Sequence, residues 1–165
     1  MARQGAVIAG AMGSRGTRPR NDAKGSSRAE RVELLSRVPL FSGLSKRQLR
    51  RLAEVAADAR YRPFTTIVRE GTPGDTFFAI VDGNASVVRG TRATAKLRPG
   101  DFFGEISLID GGPRTASIVA QSPMLTVRLS RAAFNKMLKL EPKIGVAILQ
   151  EIAHRIRERE RPLTG

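Results

Sequence analysis

The apolar positions of the chain change period twice. Val32, Leu34, Leu35 and Val38 lie at helical spacing, and Ser27 with Glu30 three residues on has the form of a capping box. A short helix is expected there, stopped by Pro39. Leu40-Phe41-Ser42-Gly43-Leu44 reads as an apolar corner, and Ser45 opens a second helix with Leu49, Leu52, Val55 and Ala56 as its apolar face. From Ala59 to Leu129 the pattern is that of short strands. Thr65–Arg69, Thr76–Val81, Ala85–Arg89, Ala93–Leu97, Thr115–Ala120 and Leu125–Leu129 are rich in β-branched residues. Gly71-Thr72-Pro73-Gly74-Asp75, Asp82-Gly83-Asn84, Gly90 and Pro99-Gly100-Asp101 separate them, a turn rhythm that indicates an antiparallel sandwich or roll. Helical spacing returns after Ser130, through Ala133, Phe134, Met137 and Leu138, until Pro142 interrupts it. In a last helix Ile144, Ile148, Ile152 and Ile156 recur every four residues, with Glu151, Arg155, Arg157, Glu158 and Arg159 on the charged face.

Composition narrows the chemistry. The chain of 165 residues is 41% hydrophobic, enough for one core. No apolar run approaches the roughly 18 residues of a spanning helix, so no membrane span is expected. The apolar stretch Gly5–Met12 is short and glycine-broken and reads as an unstructured start, and Ala2 does not fit the myristoylation pattern. There is no cysteine, which removes disulfides, thiol nucleophiles and cysteine-zinc sites and accords with a reducing cytoplasm. The single histidine, His154, excludes a multi-histidine metal centre, and no P-loop is present. No metal site and no catalytic residue are therefore expected, and an enzymatic role is not. The net charge of +14 favours acidic partners such as nucleic acid or small phosphates. Residues 1–29 carry Arg3, Arg15, Arg18, Arg20, Lys24 and Arg28 without apolar periodicity after Met12, and read as a disordered basic arm.

One stretch combines a glycine bend with opposite charges. Phe102-Phe103-Gly104-Glu105-Ile106-Ser107-Leu108 reads as a strand end followed by a short helical turn, and Pro113-Arg114-Thr115-Ala116-Ser117 follows the bend at Gly111-Gly112. Gly104 lets a ligand approach the backbone, and the free N–H groups after it form an anion site. Arg114 offers a planar fork for two phosphate oxygens. Glu105 would repel a phosphate but can accept from a sugar hydroxyl. Phosphate and hydroxyl close together describe a nucleotide.

These residues resemble the phosphate-binding cassette of the cyclic nucleotide-binding domain, the module of the catabolite activator protein, the regulatory subunit of cyclic AMP-dependent protein kinase and cyclic nucleotide-gated channels. The resemblance runs from about Leu34 to about Glu160. It implies an α+β fold: an antiparallel β-roll (a jelly roll or double-stranded β-helix) flanked by N-terminal helices and two C-terminal helices. The domain is expected over 30–165, with helices in 30–58, the roll in 59–130 and the C-terminal helices in 131–160. It further implies a cyclic nucleotide ligand, held by Phe103, Gly104, Glu105, Ile106, Ser107, Arg114, Thr115 and Ala116, and no other cofactor. In that reading the Ile106 and Ser107 N–H groups and Arg114 meet the phosphate, Glu105 the ribose 2′-hydroxyl, and Thr115 and Ala116 the wall near phosphate and base. Gly74-Asp75 lies in a loop that is near the nucleotide in the family. Thr115 replaces the alanine of the kinase subunits. A hydroxyl there can help hold guanine, but many bacterial cyclic AMP binders carry one.

The expected function is a stand-alone, cytoplasmic sensor of cyclic AMP, ahead of cyclic GMP, that moves its last helix over the ligand as a lid and signals through an unidentified protein effector. The alternative is a transcriptional regulator of the catabolite activator type that uses the basic arm on nucleic acid, since no helix-turn-helix pattern follows the last helix.

Overall fold

The computed structural model describes residues 26–160. Most of the basic arm, and with it the proposed contact to nucleic acid, lies outside them. The first described residues are tied down. Ser26 donates through its N–H and hydroxyl to the Asp58 carboxylate at 3.2 and 3.0 Å, and Ser27 caps α1 (Arg28–Ser36) with the full capping box to Glu30.

α1 ends before Pro39, which instead starts a 3₁₀ turn over Pro39–Phe41. Val38 is therefore buried in the link and not on the helix. Ser45 and Gln48 form a second capping box on α2 (Lys46–Val55). Leu49, Leu52, Ala53 and Ala56 cover its buried side, and Val55 points away, 42% exposed. At about 100° per residue Ala53 shares the face of Leu49 and Val55 does not.

Eight strands follow among the described residues: β1 (Ala57–Tyr61), β2 (Thr66–Val68), β3 (Thr76–Asp82), β4 (Ala85–Arg89), β5 (Arg92–Leu97), β6 (Phe102–Phe103), β7 (Ser117–Ala120) and β8 (Met124–Ser130). α3 (Glu105–Asp110) interrupts them between β6 and β7, and α4 (Arg131–Leu140) and α5 (Pro142–Glu160) end the described chain. Two antiparallel sheets of four strands, in the orders β1-β8-β3-β6 and β2-β7-β4-β5, make an α+β β-roll with helices on one side. The sequence pattern does not reveal β1, whose Ala57, Asp58 and Arg60 are poor strand formers. Pairing with β8, from Ala57 opposite Arg128 to Tyr61 opposite Met124, specifies it instead.

Alternation along β3 divides the core in two. Phe77, Ala79 and Val81 join Leu35, Phe41, Leu52, Leu129, Phe134 and Ile148 between sheet and helices. Phe78 and Ile80 face the other way, to Tyr61, Phe103, Ile118 and Met124 between the sheets. Ser130 caps α4 by accepting from the Ala133 N–H. Glu141 separates α4 from α5, which Pro142 opens. No helix among the described residues is long and apolar enough to cross a membrane.

The β1–β2 turn, Arg62-Pro63-Phe64-Thr65, closes with a 3.3 Å bond from the Thr65 N–H to the Arg62 carbonyl. Phe64 has φ 65°, the one positive φ of a non-glycine residue among the described residues, and is 77% exposed. A side chain in this region costs roughly 1–2 kcal/mol, partly offset in glycine by its greater freedom when unfolded. We expect Phe64→Gly to raise stability to urea by up to about 1 kcal/mol. A lower unfolding midpoint would mean that the phenylalanine is held by contacts the turn itself does not show.

Candidate functional site

β6 sets the position of the site. Phe103 stacks on Phe78 of β3, ring centroids 4.7 Å apart and 10° from parallel, while Phe102 packs on Phe77 at 5.6 Å in the other core layer. The chain then turns at Gly104, φ 89°, into α3. A Cβ here would lie 2.5 Å from the Thr76 carbonyl oxygen and 2.9 Å from Arg114 Nη1, so glycine is needed for space as well as for φ.

Arg114 is 6% exposed. Its Nη1 donates to the Gly104 carbonyl at 3.0 Å and its Nη2 to the Thr76 carbonyl at 2.9 Å. These bonds orient the fork and leave N–H groups over, because a guanidinium has five. Gly74 lies against the same side chain, and a Cβ there would collide with Arg114 Nε. The Gly74 loop is thus a support for the arginine. Burial lowers the Arg114 pKa from its ordinary value, and Asp75 and Glu105 oppose that shift.

Glu105 is 2% exposed at the first position of α3. Burial raises its pKa, chiefly against the pull of Arg155. Arg155 Nη1 reaches Glu105 Oε1 at 3.1 Å, while Nε donates to Glu151 Oε1 at 2.9 Å and Nη2 to the Phe102 carbonyl at 2.7 Å. The guanidinium also sits 4.9 Å from the Phe102 ring centroid. Arg155 therefore does not belong to a solvated charged face, as the spacing suggests. Steps of four residues drift about 40° each around a helix. Ile144 and Ile148 are buried, Ile152 is half-buried and Ile156 has left the face at 48% exposure. Arg155, seven residues after Ile148, returns to it. That count was the available signal for a residue otherwise missed. Arg131 was also missed: from the start of α4 it donates to the carbonyls of Leu108 at 3.0 Å and Gly74 at 3.3 Å.

The structure brings Gly104, Glu105 and Arg114 together. Phe103 backs them from between the sheets. Ser107 is buried and Ile106 half-buried on α3. Thr115 is exposed, and Ala116 is buried ahead of β7, which starts at Ser117 and not at Thr115. No group of three or more His, Cys, Asp or Glu side chains that could hold a metal occurs among the described residues. The arrangement offers fixed donors beside a buried acceptor.

Residues 59–141 match the sequence model of the cyclic nucleotide-binding domain. A cAMP-dependent protein kinase regulatory subunit of Aspergillus fumigatus is 36% identical over 106 residues, 63% of this chain and 26% of that protein. The chain thus spans about a quarter of the length of such relatives. A cyclic nucleotide-binding domain from Methylobacillus flagellatus superposes with a TM-score of 0.66 at 31% identity, covering 79% of each chain. The catabolite activator protein of Thermus thermophilus superposes with a TM-score of 0.66 at 28% identity, covering 74% of this chain and 60% of that one.

Arg155→Ala leaves Glu105 buried without its cation, and the Glu105 pKa then rises further. A carboxyl whose folded pKa is raised destabilises fully above that pKa and not at all below its unfolded value, ordinarily 4.5. We expect a loss of about 1–3 kcal/mol at neutral pH, shrinking as the pH falls through the range between those two pKa values. Thermal melts of wild type and variant across that range check this, and a deficit that does not shrink in acid would contradict it.

Proposed function

The chain belongs to the cyclic nucleotide-binding domain family, and on that premise we propose that it is a non-catalytic receptor which binds a 3′,5′-cyclic nucleotide reversibly and reports occupancy through α5. The observation that carries this reading is a buried guanidinium and a buried carboxylate set on either side of Gly104. In it, the N–H groups of Ile106 and Ser107 approach the cyclic phosphate, and Arg114 pairs with its free oxygens. Glu105 accepts the ribose 2′-hydroxyl. Thr115 and Ala116 form the wall leading to the base, with Phe103 behind.

The buried carboxylate makes little sense as an anion site and good sense as a sugar site. Arg114, already aligned by two backbone carbonyls, loses little freedom on meeting phosphate. Cyclic AMP is the first ligand to test, because the matched kinase subunits are named for it. Neither Arg114 nor Glu105 discriminates between bases in this arrangement, so the choice of purine belongs to another part of the site. Output through a protein partner accords with kinship to regulatory subunits, and a cytoplasmic setting with a chain that has no cysteine.

α5 is coupled to the ribose subsite by Arg155. A hydroxyl that engages Glu105 changes the anchor on which the C-terminal half of α5 rests. A ligand shifts the helix only by its differential affinity for the two positions.

Arg114→Ala removes the fork from a partly buried phosphate. We expect a loss of about 2–5 kcal/mol, roughly 30- to 5,000-fold in affinity, by calorimetric titration of a variant that keeps its circular dichroism. Glu105→Ala should lose less, about 1.5–3 kcal/mol. Unchanged affinity in the arginine variant would overturn the assignment.

Saturating nucleotide should also change amide hydrogen exchange in residues 145–158 of α5, with protection as the expected direction. Identical exchange with and without ligand would mean a rigid receptor.

A further inference from the structure

α2 carries its charge against the local rules of a helix. Lys46 and Arg47 stand at its first two positions and no acid occupies its first turn, although the partial positive charge of that end favours acids. Arg50 follows Lys46 and Arg51 follows Arg47 at four residues, a spacing at which like charges repel. All four are exposed, over an arc of about 140° on the side away from Leu49, Leu52 and Ala53. Glu54, the one acid on the helix, is paired with Arg28. Among the described residues none of the four cations is in an ion pair.

Tertiary packing adds to this charge and does not cancel it. Gln48 Nε2 donates to the Leu140 carbonyl at 3.2 Å, which sets the start of α2 against the end of α4. Lys139 precedes that carbonyl and Lys143 follows it in the first turn of α5, both exposed. Glu141, the acid between them, accepts from the Lys143 N–H at 3.2 Å. At the other end of α2, Arg31 Nε donates to the Ala53 carbonyl at 2.9 Å and Ser26 is held by Asp58. The basic residues that precede Ser26 in the sequence, such as Arg20 and Lys24, therefore join the domain beside α2. Folding thus gathers on one face cations that lie scattered along the chain.

We propose that this face binds the phosphate backbone of a nucleic acid duplex, independently of base sequence. The apolar side of α2 is buried in the core between sheet and helices, so nothing on it is left to insert into a membrane. A protein partner needs an apolar centre to its interface, and on α2 Val55 is the one large apolar side chain exposed. No aromatic residue stands on α2 to stack on unpaired bases. A duplex backbone requires none of these, only cations that replace its counterions. Bound phosphates would also relieve the repulsion along the helix. The face includes neither Arg114 nor Arg155, so it is separate from the site for a cyclic nucleotide.

Fluorescence anisotropy of the full chain with a short labelled duplex DNA of mixed sequence, over a series of salt concentrations, tests the proposal. Wild-type protein should bind, with affinity falling steeply as salt rises. The joint variant Lys46→Gln, Arg47→Gln, Arg50→Gln and Arg51→Gln should lose roughly ten-fold or more in affinity, and its plot of log K against log salt should be shallower by about 3–4. It should melt no lower than wild type, because it removes repulsion from exposed positions. A control with Arg60→Gln, Arg62→Gln, Arg92→Gln and Lys96→Gln loses the same net charge from exposed positions of the roll. Its slope should change by less than about 1. No binding of the duplex at low salt, or an equal loss in both variants, would overturn the role of α2. So would binding through α2 to phosphatidylserine vesicles in place of the duplex, or a lower melting temperature in the α2 variant, which would give the four cations a structural role.

Discussion

A carboxylate at 2% exposure stays charged only if a cation reaches it, and for Glu105 that cation is carried by a helix fifty residues further along the chain. The rest of the site follows from this constraint. Arg155 meets Glu105, Glu151 and the Phe102 carbonyl together, so α5 and the end of β6 are fixed against each other. Phe102 also carries the guanidinium over its ring and packs on Phe77, which packs on Phe134 of α4 at 5.2 Å. Strand, cassette and both C-terminal helices are thereby one packed unit.

Arg114 shows the complementary strategy. It too is buried, but its partners are the Gly104 and Thr76 carbonyls, which hold its direction without neutralising its charge. Two glycines make room for it, Gly104 on one side and Gly74 on the other. Arg131 then ties the Gly74 carbonyl to the end of α3, so the support is itself supported. Charge left uncancelled in a prepared geometry is what a binding site for an anion requires.

Features set by local chemistry were legible in the sequence. Ser27, Ser45 and Ser130 cap the helices they appear to cap, because a cap depends on a few neighbouring residues. The turn glycines separate strands that form where β-branched residues cluster, and Gly104 takes the positive φ its place in the cassette suggests. Features set by distant partners were not legible. β1 exists because β8 is beside it. Val55 and Ile156 look like core and are exposed, since a count of apolar residues does not fix the angle around a helix. Arg155 looks like surface and is the counter-ion of Glu105, the most buried acid among the described residues, a pairing across the chain that no local pattern records.

The central claim is that Glu105 and Arg114 form the ribose and phosphate halves of one nucleotide site. The most direct measurement is a calorimetric titration of the wild-type chain with a 3′,5′-cyclic purine nucleotide and with its 2′-deoxy counterpart. The account predicts saturable one-to-one binding of the ribonucleotide and binding of the 2′-deoxy form weaker by roughly ten-fold or more, the cost of losing the ribose hydroxyl's hydrogen bond to a buried carboxylate. No binding of either, or equal affinity for both, would contradict it.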